Sequence, residues 1–69
     1  MKAGKKRYAK CILGYVEDGI EYWTMDRLYD VIVHQDGTYE IKTNQGSWGI
    51  AGKGRLLEDF DAHFELVWL

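Results

Sequence analysis

Apolar and polar side chains alternate most clearly over residues 28–43, LYDVIVHQDGTYEIKT, where two runs rich in Val, Ile, Tyr and Thr flank Gln35-Asp36-Gly37. This is the pattern of a β-hairpin. A two-residue turn at Asp36-Gly37 would set Ile32 opposite Ile41 but strand Asp30 on the same face. A three-residue loop with Gly37 in the left-handed region pairs His34 with Thr38, Val33 with Tyr39, Val31 with Ile41 and Tyr29 with Thr43. That register gathers Tyr29, Val31, Val33, Tyr39 and Ile41 on one dry face. The other face carries Ile32 across from Glu40 and Asp30 across from Lys42.

The same reading extends to both sides. Residues 8–13 predict a first strand covered partly on both faces, with Tyr8, Lys10 and Ile12 on one side and Ala9, Cys11 and Leu13 on the other. Residues 14–27 form a long excursion whose turn signal, Glu17-Asp18-Gly19, predicts a three-residue loop between Val16 and Ile20. Beyond the central hairpin, a four-residue loop over 44–47 pairs Thr43 with Trp48 and Ile41 with Ile50, which continues the dry face into a third strand. Gly49, Gly52 and Gly54 interrupt regularity, with Gly49 at a bend. Leu56, Leu57, Phe60 and Phe64 recur at spacings of three and four, so a short helical turn falls within 55–63, and Phe64, Leu66 and Trp68 alternate in a closing strand. These elements describe an all-β chain: a small five-stranded SH3-like barrel with one short helical turn before the last strand.

Composition fits one domain. Sixty-nine residues lie near the size where a single core only just outweighs chain entropy, and ten aromatic residues supply large buried areas without disulfides. The single cysteine, Cys11, excludes an internal disulfide and reads as a buried, inert thiol. The basic start is followed by an apolar run only from residue 11 to 16, shorter than the roughly 7–15 residues of a secretory h-region, and no stretch reaches the roughly 20 apolar residues of a membrane span. A cytoplasmic protein is expected. The net charge of −2 divides unevenly, because the first ten residues carry +5 and residues 11–69 carry −7. A flexible basic arm over 1–7 thus precedes an acidic domain over 8–69.

Candidate chemistry is sparse. The stretch GSWGIAGKGR lacks the spacing of a phosphate loop, since Ser47 stands where Gly is needed and Gly54 where a Ser or Thr would meet Mg²⁺. Asp59, Asp61 and His63 sit two apart on a predicted helical turn and so diverge, and neither His34 nor Cys11 adds a metal-ligand spacing. No cofactor and no enzymatic activity are expected, because no nucleophile, base and orienting group converge.

Over residues 8–67 the order YAKCI, TMDRLYDVI, GTYEI, LLEDFDAHFELV resembles small SH3-like β-barrel proteins of bacteriophages and related mobile elements. The carrying motifs are an x-Y-x-V strand opening, here Leu28-Tyr29-Asp30-Val31, and a final F-E-hydrophobic strand, here Phe64-Glu65-Leu66-Val67. The resemblance implies a phage or prophage protein that binds and modulates a host factor. Peptide-binding SH3 domains use the corresponding long loop for carboxylates and aromatics, but this chain lacks their A-L-Y-D-Y motif and paired tryptophans, which points away from proline-rich ligands. The aromatic and acidic excursion then nominates Tyr15, Glu17, Asp18, Glu21, Tyr22, Trp23 and Trp48 as contacts to a protein partner with a basic surface, such as a nucleic-acid-binding host protein. The alternative is direct nucleic-acid binding through Lys2, Lys5, Lys6, Arg7 and Lys10, with exposed aromatics stacking on bases.

Overall fold

The computed structural model describes residues 6–52 and 59–69. Among them are seven strands and one short helix in the order β1 (Arg7–Cys11), β2 (Tyr15–Glu17), β3 (Ile20–Trp23), β4 (Leu28–Val33), β5 (Tyr39–Lys42), β6 (Trp48–Ala51), α1 (Phe60–His63) and β7 (Phe64–Trp68). Five of the strands form one antiparallel sheet in the order β6-β5-β4-β1-β7, and β2 and β3 form a separate two-stranded ribbon in the connection between β1 and β4. Strands β6 and β7 are the two edges of the larger sheet, which stays open among the described residues. The fold is therefore all-β, two antiparallel sheets with one short helix.

The central hairpin has the expected register, Val31↔Ile41, Ile32↔Glu40 and Val33↔Tyr39. Its loop closes with His34 N–H donating to Thr38 O at 2.9 Å and Gly37 N–H to His34 O at 3.3 Å, with Gly37 at φ 92°. Asp36 Oδ1 accepts from both Thr38 N–H and Thr38 Oγ1, which fixes the three-residue loop from within.

The next hairpin repeats this construction and so departs from the expected register by one residue. Thr43 N–H donates to Ser47 O, Gly46 N–H donates to Thr43 O, and Gly46 has φ 88°. The loop therefore has three residues, Asn44-Gln45-Gly46, and its strands pair Lys42 with Trp48, Ile41 with Gly49 and Glu40 with Ile50. A one-residue slip exchanges the two faces of a strand. Gly49 and Ala51 point inward and are buried, while Trp48 stands on the outer face. The first ribbon differs in the same way, by one residue. Its loop has two residues, because Glu17 pairs with Ile20 and both Asp18 (φ 53°) and Gly19 (φ 77°) take positive φ, as a type I′ turn requires.

The sheet begins before position 8. Lys6 and Leu69 exchange backbone hydrogen bonds, and Arg7 is paired with Trp68 in β1, so both residues extend the β1–β7 ladder. Positions 1–5, Lys2 and Lys5 among them, and the first part of the expected helical turn, 55–58, lie outside the described residues. The described part of that turn is α1, capped by Asp59, whose carboxylate accepts from Asp61 N–H at 3.1 Å.

The core lies on the inner face of the sheet. Its floor is built largely of small side chains, Ala9 and Cys11 of β1 and Ala51 of β6, with Tyr29 and Ile41 between them. A run of rings covers that floor: Tyr39 stacks on Phe60 at 3.8 Å, Phe60 on Phe64 at 5.4 Å, and Phe64 meets Trp23 edge-on at 5.3 Å. These rings tie α1 and the β2–β3 ribbon to the sheet.

Candidate functional site

The ribbon formed by β2 and β3 is the part of the molecule least absorbed into the core. Its root is fixed and its tip is exposed. At the root the pairing shifts between Tyr15 and Val16, so that Tyr15 faces Trp23 and Val16 faces Glu21. This bulge makes Tyr22 the extra residue of β3. Trp23 is thereby turned fully into the core, where its indole N–H donates to Lys42 O at 3.0 Å.

Tyr15 and Tyr22 remain half-buried beside it, with Tyr15 centroids 6.0 Å from Tyr22, 5.8 Å from Trp23 and 6.1 Å from His63. The Tyr15 hydroxyl donates to Glu17 Oε1 at 3.2 Å. Partial burial, followed by the Glu17 carboxylate, pushes this phenol above its usual pKa and keeps it neutral.

A polar clasp holds the root to the loop after β5. Asn44 N–H donates to Tyr22 O at 2.9 Å, and its amide Nδ2 donates to Glu21 O and to Thr24 Oγ1, both at 3.1 Å. Tyr29 completes it, accepting from Thr24 N–H at 2.7 Å and donating to Asn44 Oδ1 at 2.8 Å. Gln45 Nε2 adds a further donor to Glu21 O. Nothing in the sequence announced Asn44, since a turn asparagine ordinarily serves its own loop.

The tip presents Glu17, Asp18 and Glu21, all exposed, together with Val16 at 61% and Ile20 at 42% exposure. Cross-strand pairing sets each of these apolar residues against a carboxylate, Val16 against Glu21 and Ile20 against Glu17. The two ion pairs among the described residues, Lys6 with Asp30 and His34 with Glu40, involve no residue of the ribbon. Each face of the ribbon tip thus carries one exposed apolar side chain beside a carboxylate, Val16 with Glu21 on one face and Ile20 with Glu17 on the other. A signal for Val16 and Ile20 was present in the sequence, because a two-stranded ribbon lying outside the sheet cannot bury both of its faces.

The nominated residues divide accordingly. Tyr15, Glu17, Asp18, Glu21 and Tyr22 come together on the ribbon. Trp23 does not offer a contact surface: it is core, and a folded partner cannot reach it. Trp48 is 42% exposed on the outer face of β6, where Lys42 Nζ lies 5.4 Å from its ring, and so it stands apart from the ribbon. Of the basic residues, Lys6 is ion-paired with Asp30 at 3.0 Å, Arg7 lies over the Trp68 ring at 5.3 Å, and Lys10 is opposite Glu65.

Among the described residues no group of three or more His, Cys, Asp or Glu converges as metal ligands would, and no helix is long and apolar enough to cross a membrane. An open depression of about 380 Å³ between α1 and β7 has an apolar floor that includes Phe60 and Leu66, with Asp61 and Glu65 also lining it. Comparison with protein-family models, with curated proteins and with solved structures finds no match to this chain.

Proposed function

We propose that the chain is a non-enzymatic protein-binding module whose β2–β3 ribbon grips a basic, partly apolar surface of another protein. One observation carries this reading: a ribbon rooted through Trp23 and Asn44 exposes an apolar side chain beside a carboxylate on each of its faces, Val16 with Glu21 and Ile20 with Glu17, and Asp18 at its turn, and no described cation pairs with these carboxylates. Apolar side chains supply the contact that persists, while the surrounding charges select a positive partner and speed its approach. The half-buried rings of Tyr15 and Tyr22 add flat, low-entropy contact area beside them.

We further propose an SH3-like architecture, which the strand order supports, with β1 beside the last strand and a meander of β4, β5 and β6 completing the sheet. Its resemblance to phage proteins of this kind supports a phage or prophage product, acting in the cytoplasm, that binds and modulates a host factor. A basic, nucleic-acid-binding host protein fits the charge. Direct nucleic-acid binding is the less favoured reading, because Lys6, Arg7 and Lys10 each face an acidic or aromatic neighbour across β1.

The test reverses the ribbon's charge without touching its turn. Glu17→Lys with Glu21→Lys avoids Asp18, whose positive φ would confound the result. Native and reversed proteins are used as bait in a bacterial lysate with and without nuclease, and each is titrated with an arginine-rich peptide and watched by NMR. The expected outcome is nuclease-resistant capture by the native protein alone, with peptide shifts centred on Val16, Ile20 and Tyr22. Equal capture by the charge-reversed protein, or capture that nuclease abolishes, overturns the proposal.

A further inference from the structure

The outer face of the five-stranded sheet is not the polar surface that a solvated antiparallel sheet normally presents. Leu28 and Ile32 on β4 are 42% and 43% exposed and Trp48 on β6 is 42% exposed, with half-buried Tyr8, Ile50 and Val67 on the same side. The registers set these residues in rows across the strands. One runs Trp48, Lys42, Asp30, Tyr8, Val67, and the next runs Ile50, Glu40, Ile32. Apolar residues therefore adjoin at both edges, Trp48 beside Ile50 and Tyr8 beside Val67, with charged residues and Ile32 and Leu28 between them.

The charges on this face decide what fits it. Its lysines are Lys6, Lys10 and Lys42, and its carboxylates are Asp30, Glu40 and Glu65, so the two signs balance and alternate. A chain of phosphates gains nothing from a neutral face. A strongly basic or acidic protein gains no more. A face with equal numbers of both signs does not repel a copy of itself, so it permits an isologous contact, in which one patch meets its own copy.

We infer that two copies of this chain associate through the outer faces of their five-stranded sheets, packed face to face. The extent of the face sets the strength. Five strands about 4.8 Å apart and five residues along each strand at about 3.3 Å give roughly 400 Å² per copy. The roughly 800 Å² buried in all lies at the weak end of specific interfaces, so the dimer forms reversibly as concentration rises. The ribbon of β2 and β3 is not part of this face and stays free for a second partner.

Sedimentation of the native chain over a series from about 10 µM to about 1 mM tests the inference. The apparent mass should rise from 8.0 kDa towards twice that value. Ile32→Lys and Trp48→Gln alter only exposed positions, so their melts should match the native one while each weakens association about tenfold or more. Backbone NMR shifts of the native chain on dilution should map to β4, β5, β6 and β1 and spare the ribbon, which keeps the test independent of either variant. A native chain that stays monomeric throughout refutes the dimer, as do variants that both associate like the native chain. Nuclease-sensitive mass would make nucleic acid the occupant, and association lost only in Glu17→Lys with Glu21→Lys would move the contact to the ribbon. Either result overturns the inference and leaves its failure distinguishable from that of the proposed function.

Discussion

Replacing Trp23 with Ala should be the most damaging single truncation in the ribbon, and its cost can be worked from the contacts. The side chain is fully buried, meets Phe64 edge-on at 5.3 Å, and lies 5.8 Å and 6.1 Å from the rings of Tyr15 and Tyr22. Truncation of a buried tryptophan costs about 3–5 kcal/mol. The Lys42 carbonyl also loses its indole donor, and an interrupted hydrogen bond of this kind costs about 1 kcal/mol.

A domain of this length has a total stability of roughly 3–10 kcal/mol, so the Ala variant should lie near its unfolding threshold at room temperature. Trp23→Phe separates the two contributions, because it keeps most of the ring packing and loses the N–H, for an expected cost of about 1–2 kcal/mol. Urea melts followed by far-UV circular dichroism measure both without relying on the altered fluorophore. A Trp23→Ala protein within about 1 kcal/mol of native would show that the indole is not a core element, and the rooted-ribbon account would fail with it.

Two further outcomes follow from the backbone and from Cys11. A Cβ at Gly52 would lie 2.8 Å from the Gly37 carbonyl oxygen at a φ of +95°, so Gly52→Ala should cost about 1–3 kcal/mol, read as a lowered melting temperature. Burial pushes the Cys11 thiol above its usual pKa, so the unfolded chain releases this proton at lower pH than the native one. Its contribution to stability is whole below the ordinary thiol value of about 8.5 and declines as pH rises towards the native pKa. Melts from neutral to alkaline pH should therefore fall less steeply for Cys11→Ala than for the native chain, and equal slopes would contradict the burial.

The central hairpin was legible because two independent signals agree there: period-two alternation and a glycine at the position that needs positive φ. The next turn was misread by one residue for a definite reason. Large apolar side chains were assigned to the dry face, yet Trp48 stands outward and Gly49 and Ala51 stand inward. What closes that loop is Thr43 Oγ1, which accepts from both Gln45 N–H and Ser47 N–H at 3.2 Å, a local bond with no trace in the hydrophobic pattern. The ribbon's aromatic and acidic content was legible as well. The bulge that sends Trp23 inward while Tyr15 and Tyr22 stay at the surface was not, because a bulge shows only in the pairing of two strands.

The inversion at β6 follows from how the core is filled. Tyr39, Phe60, Phe64 and Trp23 form a continuous layer of rings over the inner face, and such a layer leaves little depth beneath it. Only small residues fit on much of the floor, and Ala9, Cys11, Gly49 and Ala51 are all buried there. Large apolar residues of the same strands are then displaced to the other side, where Tyr8 and Trp48 lie. The apolar outer face and the aromatic core are two consequences of one packing choice. In a chain with ten aromatic residues and so little volume to enclose, the surplus becomes surface available for association. The two candidate contacts divide that surplus. In the proposed function the ribbon's carboxylates recruit a basic partner, whereas in the inferred dimer the balanced outer face of the sheet meets its own copy.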